Sequence, residues 1–114
     1  MNVLSPETAA SASDKNVLVW DINAEAGSML EATLSGRHTR AVTDLAWSPK
    51  PPRVLATCSR DKSVHLWDLR ASETPARSMT TPCETMAWNT SGTYLATVNG
   101  YEVRWWYCLI MVSI

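Results

Sequence analysis

At 114 residues, 46% hydrophobic and 18% charged, the chain has the make-up of one small folded domain and not of a disordered tail. Ten Lys and Arg stand against eleven Asp and Glu, and the net charge of -1 gives no general attraction to nucleic acid or to an anionic membrane. The three cysteines, Cys58, Cys83 and Cys108, lack the C-x-x-C spacing of a zinc or redox site and are expected as buried, reduced thiols, so no cofactor or metal is called for.

From the start of the chain, Met1 to Asp14 has no basic stretch leading into an apolar core. No secretory signal is therefore expected, and the protein reads as intracellular. The run Ser13-Asp14-Lys15-Asn16-Val17-Leu18-Val19-Trp20-Asp21 follows, and it aligns closely with Arg60-Asp61-Lys62-Ser63-Val64-His65-Leu66-Trp67-Asp68 further on. Between them lie His38 and the strand-like run Val42 to Ser48, then the turn segment Ser48-Pro49-Lys50-Pro51-Pro52 and a second run, Val54 to Ser59. The series returns as Glu84 to Asn89, Tyr94 to Val98 and Glu102 to Trp106, with Ala-Trp recurring after 41 residues and Leu-Ala-Thr after 40. A period near 40 in short runs rich in Val, Leu, Thr and Trp predicts an all-β repeat architecture of antiparallel meanders. Asn99-Gly100, both tolerant of positive φ, is expected as the two-residue turn joining the middle strands of the third copy. Beyond it, Trp105 to Ile114 is strongly apolar, but these ten residues are about half of what a membrane-spanning helix needs.

A His before the first strand, Leu-Ala-Thr in the second, an Asp in the next turn and a closing Trp-Asp resemble the WD repeat, and His38, Asp61 and Trp67-Asp68 supply this set in the middle copy. The resemblance implies a WD40-type β-propeller fragment of about two and a half four-stranded antiparallel blades. These are a partial blade over 1–36, a complete one over 37–81 and a nearly complete one over 82–107; residues 108–114 form an apolar tail foreign to the propeller pattern. It also implies a buried hydrogen-bonded set of His38, Asp61, Trp67 and a hydroxyl from Thr57 or Ser59, which share one face of a period-two strand. The first blade keeps Asp14 and Trp20-Asp21 but is expected to lack a first strand and a His. The third has no His, no turn Asp, and Trp106-Tyr107 in place of Trp-Asp, so its network is expected to be absent. His65 is expected as a surface or inter-blade residue.

The same Ser, His and Asp types could compose a hydrolase triad, but no nucleophile elbow accompanies them, and a non-enzymatic scaffold for protein–protein interaction is the expectation. On the rim that such blades share, Arg37, Arg40, Arg60, Lys62 and Lys15 would gather to bind an acidic or phosphorylated peptide; nucleic acid is disfavoured because no aromatics are interleaved. Leu66-Trp67-Asp68-Leu69-Arg70 resembles the box by which some WD proteins, as substrate receptors, dock onto a cullin-RING ubiquitin-ligase adaptor, with Arg70 as the contact. His38 to Trp47, Leu95-Ala96-Thr97 and Glu102 to Trp105 resemble WD-repeat subunits of the complex that relays amino-acid sufficiency to the TOR kinase at lysosomes. A messenger-RNA export subunit of the same family fits nearly as well, leaving cytoplasm, lysosomal surface and nucleus open.

Overall fold

The computed structural model describes residues 2–5, 8–21, 29–49, 53–70 and 75–108. Every regular element among them is a strand: β1 (Asn2–Ser5), β2 (Thr8–Ser13), β3 (Asn16–Asp21), β4 (Met29–Leu34), β5 (Val42–Trp47), β6 (Val54–Ser59), β7 (Ser63–Asp68), β8 (Pro75–Thr80), β9 (Thr85–Trp88), β10 (Tyr94–Asn99) and β11 (Glu102–Tyr107). They form three antiparallel sheets, β1-β2-β3-β4, β5-β6-β7-β8 and β9-β10-β11. Consecutive strands pair because the turns between them are short. No helix among the described residues is long and apolar enough to cross a membrane.

The first sheet departs from the sequence reading, for it has a first strand: β1 pairs with β2 through Asn2↔Ala10, Val3↔Ala9 and Ser5↔Thr8, with a bulge between Val3 and Ser5. These four residues carry no Ala-Trp signature, so nothing in the repeat pattern marks them. The hairpin expected at Asn99-Gly100 turns one residue later. Asn99 pairs with Glu102, leaving Gly100 and Tyr101 as the loop, and only Gly100 has positive φ, at 60°. That is the demand of a type II′ turn, which places glycine at its first central position. The β6–β7 turn is a three-residue one in which the Lys62 N–H donates to the Ser59 carbonyl at 3.2 Å and Lys62 stands at φ 66°. The Pro-rich segment 50–52 and the tail 109–114 lie outside the described residues; Cys108 at the start of that tail is buried in the core.

Hairpin register shows how the sheets stack. Ala10↔Val19, Ala56↔Leu66 and Ala96↔Trp105 are equivalent pairs on one face, and Ala9↔Trp20, Leu55↔Trp67 and Leu95↔Trp106 are equivalent pairs on the other. Ala10, Val17 and Val19 of the first sheet meet Trp47, Leu55 and Trp67 of the second. Ala56, Cys58, Val64 and Leu66 of the second then meet Met86 and Leu95 of the third, with Trp88 and Trp106 packed alongside. Fully burying each Val or Leu contributes roughly 1.5–3 kcal/mol, so the side-chain stabilisation lies between sheets and no sheet has a core of its own.

Polar contacts reinforce both junctions. The Val42 N–H donates to the Asp14 carbonyl at 2.8 Å, joining the first sheet's turn to β5. Asp44 on β5 reaches the third sheet, its Oδ2 accepting from the Met86 N–H at 2.8 Å and the Thr85 hydroxyl at 3.0 Å, while the Trp88 indole donates to the Ala46 carbonyl at 3.0 Å. Replacing Asp44 by Ala leaves the half-buried Met86 N–H without its acceptor and should cost about 1–3 kcal/mol. A lower urea midpoint at unchanged m-value would show this, and an unchanged midpoint would remove Asp44 from the junction.

Candidate functional site

The second sheet carries a buried polar cluster built around the loop between β4 and β5. His38 on that loop lies over β6 and β7, with Nε2 2.7 Å from Thr57 Oγ1 and Nδ1 3.0 Å from Ser63 Oγ and 3.3 Å from Asp61 Oδ2. The Trp67 indole donates to the same Thr57 Oγ1 at 2.9 Å. An indole N–H can only donate, so Thr57 Oγ1 accepts from Trp67. The Asp61 carboxylate at Nδ1 can only accept, which places the proton of the neutral imidazole on Nδ1 and leaves Nε2 to accept from the Thr57 hydroxyl. No buried side-chain N or O among the described residues lacks a partner.

Thr57 and Ser59 divide the work that spacing alone left between them. Thr57 joins Trp67 to His38, whereas the Ser59 hydroxyl donates to the Arg40 carbonyl at 2.8 Å and accepts from the Asp61 N–H at 3.1 Å. Asp61 Oδ2 accepts from the Thr39 N–H at 2.8 Å, and Oδ1 accepts from the Ser63 N–H at 2.9 Å and from the Ser63 hydroxyl. The Thr57 and Ser59 hydroxyls are thus both buried and engaged in holding a loop.

His65 belongs to this cluster and is not a surface residue. It is 8% exposed, with Nδ1 2.7 Å from Ser78 Oγ and Nε2 3.3 Å from the Arg37 carbonyl. Its ring lies 4.5 Å from that of His38 and meets Trp67 edge-on at 5.9 Å. Period-two alternation puts Ser63, His65 and Trp67 on one face, and it is the His38 loop, folding back from far along the chain, that covers them. Trp67 was the available signal, since the face that carries the buried indole carries His65 too.

The ionisation states follow. Burial opposes the Asp61 carboxylate, but hydrogen bonds from the Ser63 hydroxyl and the Thr39 and Ser63 N–H groups, with the His38 charge, outweigh it and bring its pKa to about 2. Burial, then the neighbouring His65, holds His38 below the ordinary histidine range despite Asp61. Burial lowers His65 as well.

Part of the arrangement recurs where it was not expected. The Trp20 indole donates to Ser11 Oγ at 2.9 Å in the first sheet, and the Trp106 indole to Thr97 Oγ1 at 3.0 Å in the third. The third sheet therefore keeps the Trp–hydroxyl half of the set and lacks the His–Asp half; Arg104 stands opposite Thr97 where His65 stands opposite Thr57.

The cluster secures the loop that carries Arg37 and Arg40 beside the β6–β7 turn that carries Arg60 and Lys62. The Arg60 N–H donates to the Ala41 carbonyl at 3.0 Å, and Lys15 sits in the turn whose Asp14 carbonyl accepts from Val42. All five cations are exposed, and among the described residues none forms an ion pair. Beside them a cleft of about 510 Å³ opens between the second and third sheets, lined by Thr43, Ser59, Arg60, Lys62, Cys83 and Glu84 among others. Cys58 and Cys83 meet beneath it, and a hydrogen bond to Cys83, with burial, pushes the Cys58 thiol up, so it remains protonated. All three cysteines are free and buried. Arg70 is not part of this rim: it follows the far end of β7 and binds Asp68 through two 2.9 Å hydrogen bonds. Among the described residues no group of three or more His, Cys, Asp or Glu could hold a metal ion.

Thr57→Val keeps the volume but leaves both the Trp67 N–H and His38 Nε2 without a partner, at about 1–3 kcal/mol each. Thr97→Val leaves only the Trp106 N–H, so chemical denaturation should find the Thr57 variant more destabilised by a factor of roughly two. Acid should act through the histidines. A lowered histidine pKa means that the unfolded chain binds more protons below pH 6.5, so stability is complete above 6.5 and falls as pH drops through the folded pKa values. Asp61 adds a second loss as pH falls from 3.8 towards 2. Thermal melts at pH 7.5 and 5.5 should show the lower Tm at 5.5, and equal values would mean that both imidazoles protonate freely in the fold.

Comparison with known proteins agrees with this construction. Residues 29–68, which run from β4 to the end of β7, match the family model described as WD domain, G-beta repeat. The chain is 40% identical over 100 residues to an uncharacterized RWD, RING finger and WD repeat-containing protein of Schizosaccharomyces pombe, which covers 84% of this chain and 8% of that protein. It is 32% identical over 105 residues to Maintenance of telomere capping protein 5 of Saccharomyces cerevisiae, covering 89% and 9% respectively. It is 40% identical over 81 residues to the GATOR2 complex protein Wdr59 of Drosophila melanogaster, covering 67% and 8%. The chain thus spans less than a tenth of the length of each of these relatives. With repeating antiparallel sheets stacked through equivalent faces and a repeat match over the sheet that holds the histidine cluster, the chain belongs to the WD-repeat family of β-propeller proteins.

Proposed function

We infer that the chain is a scaffold element of a multi-subunit complex and that its basic rim, Arg37, Arg40, Arg60 and Lys62 with Lys15, engages an acidic segment of another protein. The observation that supports this reading is that four of these cations sit on a loop and a turn tied together by hydrogen bonds, while among the described residues their own charges form no ion pair. Because the backbone under these cations is already held, little loop order is lost on binding, which favours recognition of carboxylates or phosphates. Likeness to the GATOR2 complex protein Wdr59 supports placing it in an assembly of that kind, within the nutrient signalling to TOR that the sequence resemblance implies. The bidentate Arg70–Asp68 pair weighs against the ligase-adaptor alternative, because docking through Arg70 would first have to release it.

Fluorescence anisotropy with a labelled Glu- and Asp-rich peptide tests the rim. Binding should weaken as salt rises and should fall at least tenfold in Arg60→Glu/Lys62→Glu, while Arg70→Ala binds as the parent chain does. Equal binding by the double variant would overturn the assignment. Tighter binding of an unstructured RNA of equal charge would replace a protein partner with a nucleic acid.

A further inference from the structure

Beneath the cleft between the second and third sheets lies a pair of thiols that neither the hydrogen-bonded cluster nor the basic rim uses. Cys58 stands on β6, an interior strand of the second sheet, and Cys83 on the segment that leads into β9 of the third. Both belong to one buried apolar cluster, Cys58 fully buried and Cys83 6% exposed. Thr43 brings the two segments together. It falls at the bulge between Val42 and Asp44 of β5, and its Oγ1 lies 3.3 Å from Cys58 Sγ and 3.4 Å from the Cys83 carbonyl oxygen. The thiols are themselves hydrogen-bonded, Cys58 donating to Cys83. Cys83 lines the cleft and Cys58 does not, so a small molecule entering beside Thr43 meets the Cys83 sulfur first. The pair is asymmetric in charge as well: the Cys58 hydrogen bond holds Cys83 below the ordinary thiol range against its burial, and Cys58 stays protonated.

We propose that Cys83 and Cys58 are a redox-active dithiol, a modification site at which hydrogen peroxide entering the cleft converts the pair to a reversible disulfide that ties β6 to the entry of β9. The Cys83 thiolate attacks one peroxide oxygen and breaks the O–O bond, which leaves a sulfenic acid on Cys83 and releases hydroxide. Hydroxide takes up the proton that Cys83 had given to solvent. The Cys58 sulfur then attacks the Cys83 sulfur; the S–S bond forms, the S–O bond breaks, and the Cys58 proton departs with that oxygen as water. In sum the two thiols lose two electrons and two protons, and one peroxide is reduced to two waters. A reachable nucleophile with a buried thiol beside it stops oxidation at the reversible stage, because the sulfenic acid is consumed before a second peroxide arrives. The rim cations take no part in these steps, so the site stands apart from the acidic-partner reading.

Mass spectrometry of the full 114-residue chain after treatment with hydrogen peroxide, with the remaining thiols alkylated in denaturant, tests this. The parent chain should lose the mass of two hydrogen atoms and keep one of its three thiols open to alkylation, that of Cys108. Proteolysis should then yield one cross-linked peptide pair, joining Cys58 to Cys83, and dithiothreitol should restore all three thiols. Cys108→Ser should react as the parent does. Cys58→Ser should leave Cys83 as a sulfenic acid that dimedone captures, whereas Cys83→Ser should leave Cys58 unmodified. Alanine at either position, which keeps an apolar side chain in the cluster, should give the same pair of results where serine disturbs the fold. The parent chain decides by itself, without any variant: three alkylatable thiols after peroxide, or a cross-link that contains Cys108 or joins two chains, would overturn the proposal. Capture of a Cys58 sulfenic acid in Cys83→Ser as fast as that of Cys83 in Cys58→Ser would also overturn it, since the cleft would then not select the nucleophile.

Discussion

A single hydroxyl, that of Thr57, carries the geometry of the site. It is the point at which a tryptophan that can only donate and a histidine that must accept on one nitrogen are both satisfied. Everything on the rim depends on that crossing. With His38 held, its loop lies over β7 and shields His65; with the loop in place, the Thr39 N–H and the Arg40 carbonyl reach Asp61 and Ser59. The network is costly to break because its members are buried, and a partly satisfied set would be worse than an apolar one. Trp67 links the two scales of the structure. Its indole N–H closes the polar cluster, while its ring lies in the apolar contact with the first sheet.

The three sheets hold this device to different degrees and show which part of it the fold can do without. A Trp–hydroxyl hydrogen bond is present in all three, whereas the His–Asp half occurs only in the second. In the second and third sheets the common half stands at the contact with the preceding sheet, where the packed indole would otherwise leave its N–H in apolar surroundings. The His–Asp half does something else: it holds the loop that enters the sheet. Where it is absent, the entry can be secured from outside, and Asp44 of the second sheet does this for β9 through Met86 and Thr85.

Strand identity and the antiparallel order could be read from the chain because they arise from local alternation and from turn residues, both visible within a window of about ten residues, and the shared periodicity from runs that recur after 40 and 41 residues. His38, Asp61 and Trp67 could be read only through a repeat pattern, since they lie far apart in sequence and composition alone would equally suggest a catalytic trio. The role of His65 was hidden because burial on an open sheet face depends on a distant loop. The first strand was hidden because its pairing is made by backbone groups that every residue possesses. Thr57 and Ser59 were inseparable for a physical reason: two residues apart on a strand means one face, and only the entry angle of the loop decides which hydroxyl meets the imidazole and which meets a carbonyl.

Charge placement ties the cluster to the rim above it. Asp61 stands between Arg60 and Lys62 in the β6–β7 turn, yet its carboxylate is committed to Thr39, Ser63 and His38 and is mostly withdrawn from solvent. It therefore holds the loop's backbone without neutralising the loop's side chains. Burial, and for His38 the neighbouring His65, hold both imidazoles below the ordinary histidine range. A protonated pair there would add positive charge beneath a surface that already carries several cations. With the imidazoles neutral and the Asp61 carboxylate committed to the loop backbone, the charge that the rim presents to solvent is that of its exposed Arg and Lys side chains.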